Sequence, residues 1–186
     1  MNQLPRLKQQ LRFLACIAAV LIILEIINLL TASGLNGLGI LPRFVPGWWH
    51  IFTAPWVHGS PTHLATNLVP LMLFMWLTLQ WGNKTFGWVT VTIFLLSGIG
   101  VWLLGRSAVH IGASGIVYGY FGFLLLAGFK TRKIPYIIIS VLVAILYGGL
   151  LIGILPGKGF VSYEYHLFGF LAGLLAAWKW GATKTV

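Results

Sequence analysis

Six long apolar stretches separated by short polar or glycine-rich gaps dominate the chain, at about 13–30, 64–81, 88–104, 114–129, 134–155 and 166–180. Most approach the roughly 20 residues that a membrane-crossing helix needs. They are apolar on all sides rather than alternating, which excludes the short two-faced strands of a barrel. The pattern predicts an all-α integral membrane protein, a single domain of six transmembrane helices over 1–186. The gap after the first stretch is long, about 31–62, and its glycines and prolines forbid one continuous helix. Trp48, Trp49 and Trp56 lie within it, so a compact loop partly sunk in the outer leaflet is expected between helices one and two.

Composition sharpens this picture. The 186 residues are 59% hydrophobic and only 8% charged, too few charges to cover a soluble domain of this size. The formal charge of +10 would suggest nucleic acid in a soluble protein. Here the basic residues are scattered through the gaps, without a basic stripe of interleaved aromatics, so they read as topology signals and headgroup anchors and no nucleic-acid partner is expected. Arg6, Lys8, Arg12, Lys84, Lys130, Arg132, Lys133, Lys179 and Lys184 fall on one side of a six-span arrangement, and Arg43, Arg106 and Lys158 on the other. Nine against three places both termini in the cytoplasm. The first stretch resembles a signal peptide only weakly. Thr31-Ala32-Ser33 is a poor cleavage site and Glu25 interrupts the apolar run, so a retained helix is expected. Cys16 is the single cysteine and reads as a packing or lipid-facing residue.

The same topology starts helices two, four and six on the outer side, and His63, Asn67, Ser114 and His166 all sit near those starts. Polar groups from three distant segments thus reach a similar depth. Such groups normally face the bundle interior. As a helix, 114–129 is about 24 Å long against a hydrocarbon core of about 30 Å, so Ser114 lies below the outer surface. A serine becomes a nucleophile when a base is within reach, and His166 is the candidate base. Gly169 and Gly173 share a helical face with His166, and Gly115 and Gly119 follow Ser114, so small residues on both helices permit the close contact that would join the pair. His63 and Asn67, four apart, point from one face of helix two and can aim two N–H groups at an oxyanion, with the Ser114 backbone N–H as a further donor. Each feature alone is equally a packing motif or an interhelical hydrogen bond.

The acids are only Glu25 and Glu164. Glu164 precedes His166 by two residues and points elsewhere on a helix, so a dyad rather than a carboxylate triad is expected. No HExxH sequence is present, and His58, His63, His110 and His166 have no nearby carboxylate to serve as base, so neither metal nor cofactor is expected.

Over nearly its whole length the chain resembles the rhomboid intramembrane serine proteases, through HGSPTHLATN, GASGIVYG and HLFGFLAG in the expected order. The resemblance implies a rhomboid-like six-helix bundle with Ser114 as nucleophile, His166 as base, and His63 and Asn67 on the oxyanion. It further implies supporting roles for Tyr118, stacked on the histidine, for Gly112, and for His58. The substrates it implies are transmembrane or juxtamembrane segments of other membrane proteins, with a small residue before the cut, while the compact six-helix core itself points to a bacterial cytoplasmic membrane with the site toward its outer face. Two departures stand out. Trp49-His50 replaces the frequent Trp-Arg of the first loop, and Tyr165 replaces the usual alanine before the histidine, with altered packing or narrower substrate access expected. The glycine-rich segment 153–165 is a candidate cap over the site. The alternative is a catalytically silent rhomboid-like protein that binds membrane clients. A small transporter is disfavoured by the lack of repeats and coupling charges.

Overall fold

A computed structural model describes residues 3–157 and 162–182 of the chain. Lys158, Lys184 and the middle of the candidate cap lie outside the described residues. Among those described, the regular structure is helical: α1 (Gln3–Leu30), α2 (Pro61–Leu79), α3 (Asn83–Leu104), α4 (Ser114–Thr131), α5 (Ile134–Tyr147) and α6 (Tyr163–Trp180). Four stretches are long and apolar enough to cross a membrane, namely Arg6–Leu30, Pro61–Leu79, Asn83–Leu104 and Ile134–Ile154. The fourth of these is not α-helical throughout. After Tyr147 the chain tightens into a 3-10 segment, Gly148–Ile154, which opens with two adjacent glycines, the residues least committed to an α-helix apart from proline.

The loop between α1 and α2 is built from three short 3-10 stretches, Gly34–Leu38, Val45–Phe52 and Ala54–Trp56. Asn28 on α1 organises it. Its amide nitrogen donates to Asn36 Oδ1 (3.0 Å) and the His58 carbonyl (2.8 Å), while its Oδ1 accepts from the Leu35 N–H (2.9 Å). Arg43, in a left-handed conformation at φ 60°, donates to the Gly105 carbonyl (2.8 Å) and ties the loop to the end of α3. Ile40 and His110 exchange both backbone hydrogen bonds at 2.9 Å, pairing the loop with the α3–α4 connection. Trp48 and Trp49 are exposed, whereas Ile40, Ile51 and Ala54 are buried with Tyr165 and Val101 in a small second core.

α2 starts where Ser60 accepts from the His63 N–H (3.1 Å) and Pro61 supplies a pre-set first turn. Pro70 within α2 has no N–H to give to the carbonyl four residues back, so α2 is weakened one turn below Asn67. α4 is the central post: most of its side chains are buried, including Tyr120, Phe121, Phe123 and Leu124. Its seam with α6 is backbone on backbone. A Cβ at Gly169 would stand 2.0 Å from the Gly115 carbonyl oxygen, and one at Gly173 1.9 Å from that of Gly119. Glycine is required there because the two helices approach more closely than any side chain allows. α5 by contrast buries only Ser140 and Val143 and turns Ile134, Ile145 and Leu146 outward.

Candidate active site

Ser114 is the first residue of α4 and is buried at 8% exposure. The turn before it is fixed from the first loop. Gly112 adopts φ 107°, accessible to glycine, and its N–H donates to the Ala54 carbonyl (3.0 Å). The next N–H, of Ala113, donates to His58 Nε2 (3.2 Å). An imidazole nitrogen that accepts is unprotonated, so His58 is neutral there, and burial holds its pKa down to about 4. The Ile116 and Val117 N–H groups both donate to the Ala113 carbonyl (2.9 and 3.0 Å), which leaves the Ser114 and Gly115 N–H groups as the free positive end of the α4 dipole.

His166 opens the second half of the site from the first turn of α6, whose start Ser162 caps by accepting from the Tyr165 N–H (3.3 Å). The imidazole lies flat on the Tyr118 ring, with centroids 4.0 Å apart and planes 5° from parallel. Its Nδ1 is 3.0 Å from the carbonyl oxygen of Gly153. A carbonyl only accepts, so Nδ1 carries the proton and Nε2 keeps its lone pair. In this arrangement a backbone carbonyl does for the imidazole what a carboxylate does in a triad: it fixes tautomer and ring orientation. Side-chain patterns give no sign of it. A Cβ at Gly153 would fall 1.9 Å from the Tyr118 hydroxyl, so only glycine brings this carbonyl in so close.

On α2, His63 Nδ1 accepts from the Gly59 N–H (3.3 Å), which leaves the proton on Nε2. That edge of the ring lies against Gly112, where a Cβ would be 2.8 Å from Nε2. Asn67 donates one amide hydrogen to the His63 carbonyl (2.8 Å), and the second remains for a ligand. Ser114, His166, Tyr118, His63 and Asn67 all line one cavity of about 600 Å³, with Pro70 of α2 and Leu150 of the 3-10 segment in its wall. Gly112 and His58 stand behind it, the His58 ring 5.1 Å from that of His63.

Glu164, His110, Glu25, His50 and Tyr165 do not line the cavity. Glu164 points away from His166, accepts from the Arg106 N–H (3.2 Å) and lies 3.7 Å from the Arg106 Nε. His110 pairs with Ser162 and so braces the start of α6 against the α3–α4 connection. Glu25 is buried on α1 and does not line the cavity. His50, at the first departure, has Nδ1 2.9 Å from the Gly39 carbonyl, so a histidine donor supports the loop. Tyr165, at the second, is fully buried against Gly115, whose Cβ would meet its ring at 2.4 Å. It fills the second core rather than the cavity, so it acts on packing and does not narrow access. Among the described residues, no three His, Cys, Asp or Glu side chains converge as metal ligands would.

Comparison with known proteins gives the family. The Rhomboid domain family matches residues 46–182. An uncharacterized protein of Mycobacterium tuberculosis is 38% identical over 175 residues, 89% of this chain and 73% of the relative. An uncharacterized protein of Mycobacterium leprae is 35% identical over 175 residues, with 89% and 69% covered. RHOMBOID-like protein 4 of Arabidopsis thaliana is 32% identical over 158 residues, 78% of this chain and 38% of that protein. With its matched domain spanning loop, α2, α4 and α6, the chain belongs to the rhomboid family.

Proposed function

We propose that the protein is an intramembrane serine endopeptidase that cuts transmembrane or juxtamembrane segments of other membrane proteins. The observation that carries this reading is one cavity lined both by Ser114 and by a His166 whose tautomer is set by the Gly153 carbonyl. His166 Nε2 takes the proton of Ser114 Oγ as the oxygen attacks the peptide carbonyl. His63 Nε2–H, the free Asn67 amide hydrogen and the Ser114 and Gly115 N–H groups hold the resulting oxyanion. His166 then gives the proton to the leaving amine, and water admitted to the cavity hydrolyses the acyl-enzyme by the same route in reverse order.

In this reading α1 to α6 are six spans, with α5 completed by its 3-10 segment, both termini in the cytoplasm and the site toward the outer face of a bacterial cytoplasmic membrane. A substrate helix must unwind to offer its carbonyl, so glycine or proline near the cut favours cleavage. The glycines around Ser114 suit a small residue before the cut.

Fluorophosphonate labelling of the detergent-purified protein, paired with cleavage of a reconstituted transmembrane substrate, tests the proposal. Label and cleavage are expected to vanish in Ser114→Ala and to drop by at least about a hundredfold in His166→Ala. Binding of a membrane client with no Ser114-dependent label would overturn it in favour of the silent client-binding reading.

A further inference from the structure

Apart from the Ser114 cavity, α1 does not close fully against its neighbours. Two hollows lie along the opening. The first, about 290 Å³, is at the N-terminal end of α1 and is lined by Arg6, Gln9 and Gln10 with Asn83 at the start of α3. The second, about 130 Å³, lies deeper between Ile17 and Leu21 of α1 and Met75 and Ile116 of α2 and α4. Phe13 and Phe86 line both, and their rings meet edge to face at 5.9 Å, marking the boundary between the two hollows.

The two hollows differ in chemistry. In the first, Gln10 is only 8% exposed, and its buried amide nitrogen has no hydrogen-bond partner. Buried donors are nearly always satisfied, so this one marks the place of an acceptor. Arg6 stands beside it, with a long 3.5 Å contact to the Leu79 carbonyl. The N-terminus of α3, with its unpaired N–H groups, begins at Asn83. A cation, an orphan amide donor and a helix N-terminus together ask for an anion with several oxygens. The second hollow is dry in character. The hydroxyl of Thr90 in its wall is already bonded to the Phe86 carbonyl (2.7 Å) and to the Tyr120 hydroxyl (2.6 Å). Its volume is close to the roughly 150 Å³ of an apolar cavity that excludes water and takes hydrocarbon. From Arg6 to Leu21 the helix rises about 22 Å, the depth of one leaflet from headgroup to midplane.

We propose that this cleft is a binding site for one anionic glycerophospholipid, its phosphate on Arg6 and Gln10 and an acyl chain laid along the Phe13–Phe86 pair into the slot. The lipid seals α1 to α3 and α4, where protein packing leaves the gap. The site is separate from the Ser114 cavity and does not depend on peptidase activity.

Native mass spectrometry of the full chain, with phosphatidylglycerol, diacylglycerol and inorganic phosphate as competing probes, tests it. One phosphatidylglycerol per chain is expected to survive detergent exchange. Diacylglycerol lacks the phosphate and inorganic phosphate lacks the chains, so each should displace it at least tenfold less well. Arg6→Glu should weaken retention by tenfold or more, because a charge-assisted bond is replaced by repulsion. Phosphatidylglycerol with a diazirine in its tail should label Met75 or Ile116 in the unaltered protein. Inorganic phosphate competing as well as the lipid would reduce the site to an anion pocket and overturn the lipid assignment. So would retention unchanged in Arg6→Glu, or diazirine labels confined to outward residues such as Ile22 and Ile23.

Discussion

The α4–α6 seam and the α5 flank are built on opposite rules, and the site uses both. Along the seam, Gly115 and Gly119 lie so near Gly169 and Gly173 that no side chain fits between the helices. Ser114 and His166 ride on this seam, so their separation is set by backbone contact, which interdigitated side chains cannot loosen. α5 faces outward over most of its surface and touches α4 through Ser140 and through the close pass of Gly128 under the Tyr136 carbonyl. Yet the segment that continues α5 supplies the Gly153 carbonyl to His166. The Ser114–His166 pair is therefore held by a fixed half, while the orientation of the imidazole depends on the half with least packing. Regions of low burial are the ones that open first.

The largest effect should come from breaking the seam. Gly173→Leu forces a side chain against the Gly119 carbonyl, and the cost exceeds the about 1–3 kcal/mol of ordinary overpacking because backbone must move. Loss of the folded protein, seen as no cooperative melt in detergent, is expected. Gly148→Ala on the flank meets nothing within 4 Å in a helical conformation, so it should fold and melt at or slightly above the parent temperature. Equal melting temperatures for the two variants would erase the contrast.

Gly153→Ala probes the link between the halves. Its Cβ would meet the Tyr118 hydroxyl at 1.9 Å, pushing the carbonyl off His166 and releasing the imidazole from its tautomer. A fall in kcat of roughly ten- to a hundredfold, with the fold intact, is expected. Tyr118→Phe in the same chain removes the obstructing oxygen and keeps the ring stacked on His166, so the double variant should regain most of the activity. Activity unchanged in Gly153→Ala, or equally low in both, removes the carbonyl from the mechanism.

The fixed half was legible in the sequence, and the adjustable half was not. Apolar runs and scarce charges give the all-helical class, and the spacing of Gly169 and Gly173 behind His166 announces a face that accepts another backbone. His63 and Asn67, one turn apart, point together for the same periodic reason. A periodic pattern reports side chains, however, and the group that meets His166 Nδ1 is a carbonyl. It arrives because the chain leaves the α-helix at Gly148-Gly149, within a run whose hydropathy is continuous through 155. Tyr165 illustrates a second limit: its neighbour in sequence, His166, faces the cavity, while Tyr165 itself turns into a core assembled from the first loop and α3. Arg43 carried the one available signal, a lone arginine in a loop otherwise rich in glycine, proline and aromatics.

A smaller effect should appear in the pH dependence of the fixed half. His58 accepts the Ala113 N–H while neutral, and its pKa is lowered by burial to about 4 from an ordinary 6.5. Between those values the unfolded chain binds a proton that the native protein does not, so stability rises with pH there. Acidifying from pH 7 to 4 should remove at most about 3 kcal/mol through this residue. His58→Gln retains an acceptor for the Ala113 N–H and should flatten the slope of melting temperature across that window. The same slope in both proteins assigns the acid sensitivity to other groups.

The mildest change is the most discriminating for the flank. Ser140 Oγ donates to the Leu124 carbonyl, joining α5 to the central post. The Leu124 carbonyl can still accept the N–H four residues on, so Ser140→Ala leaves no buried acceptor unpaired, and the loss is the net worth of one hydrogen bond, about 1 kcal/mol. That energy separates α5 from α4 without touching Ser114, His166 or the seam. If a substrate helix reaches the cavity past α5, opening becomes easier by the same amount, and cleavage of a reconstituted transmembrane substrate should rise by up to about fivefold. Fluorophosphonate, small enough to enter from water, should label at the parent rate. The melting temperature should fall by a few degrees. A rise in both reactions would show that the base itself had been altered, and a fall in both would make α5 part of the rigid frame, leaving the bundle with no half free to admit a substrate.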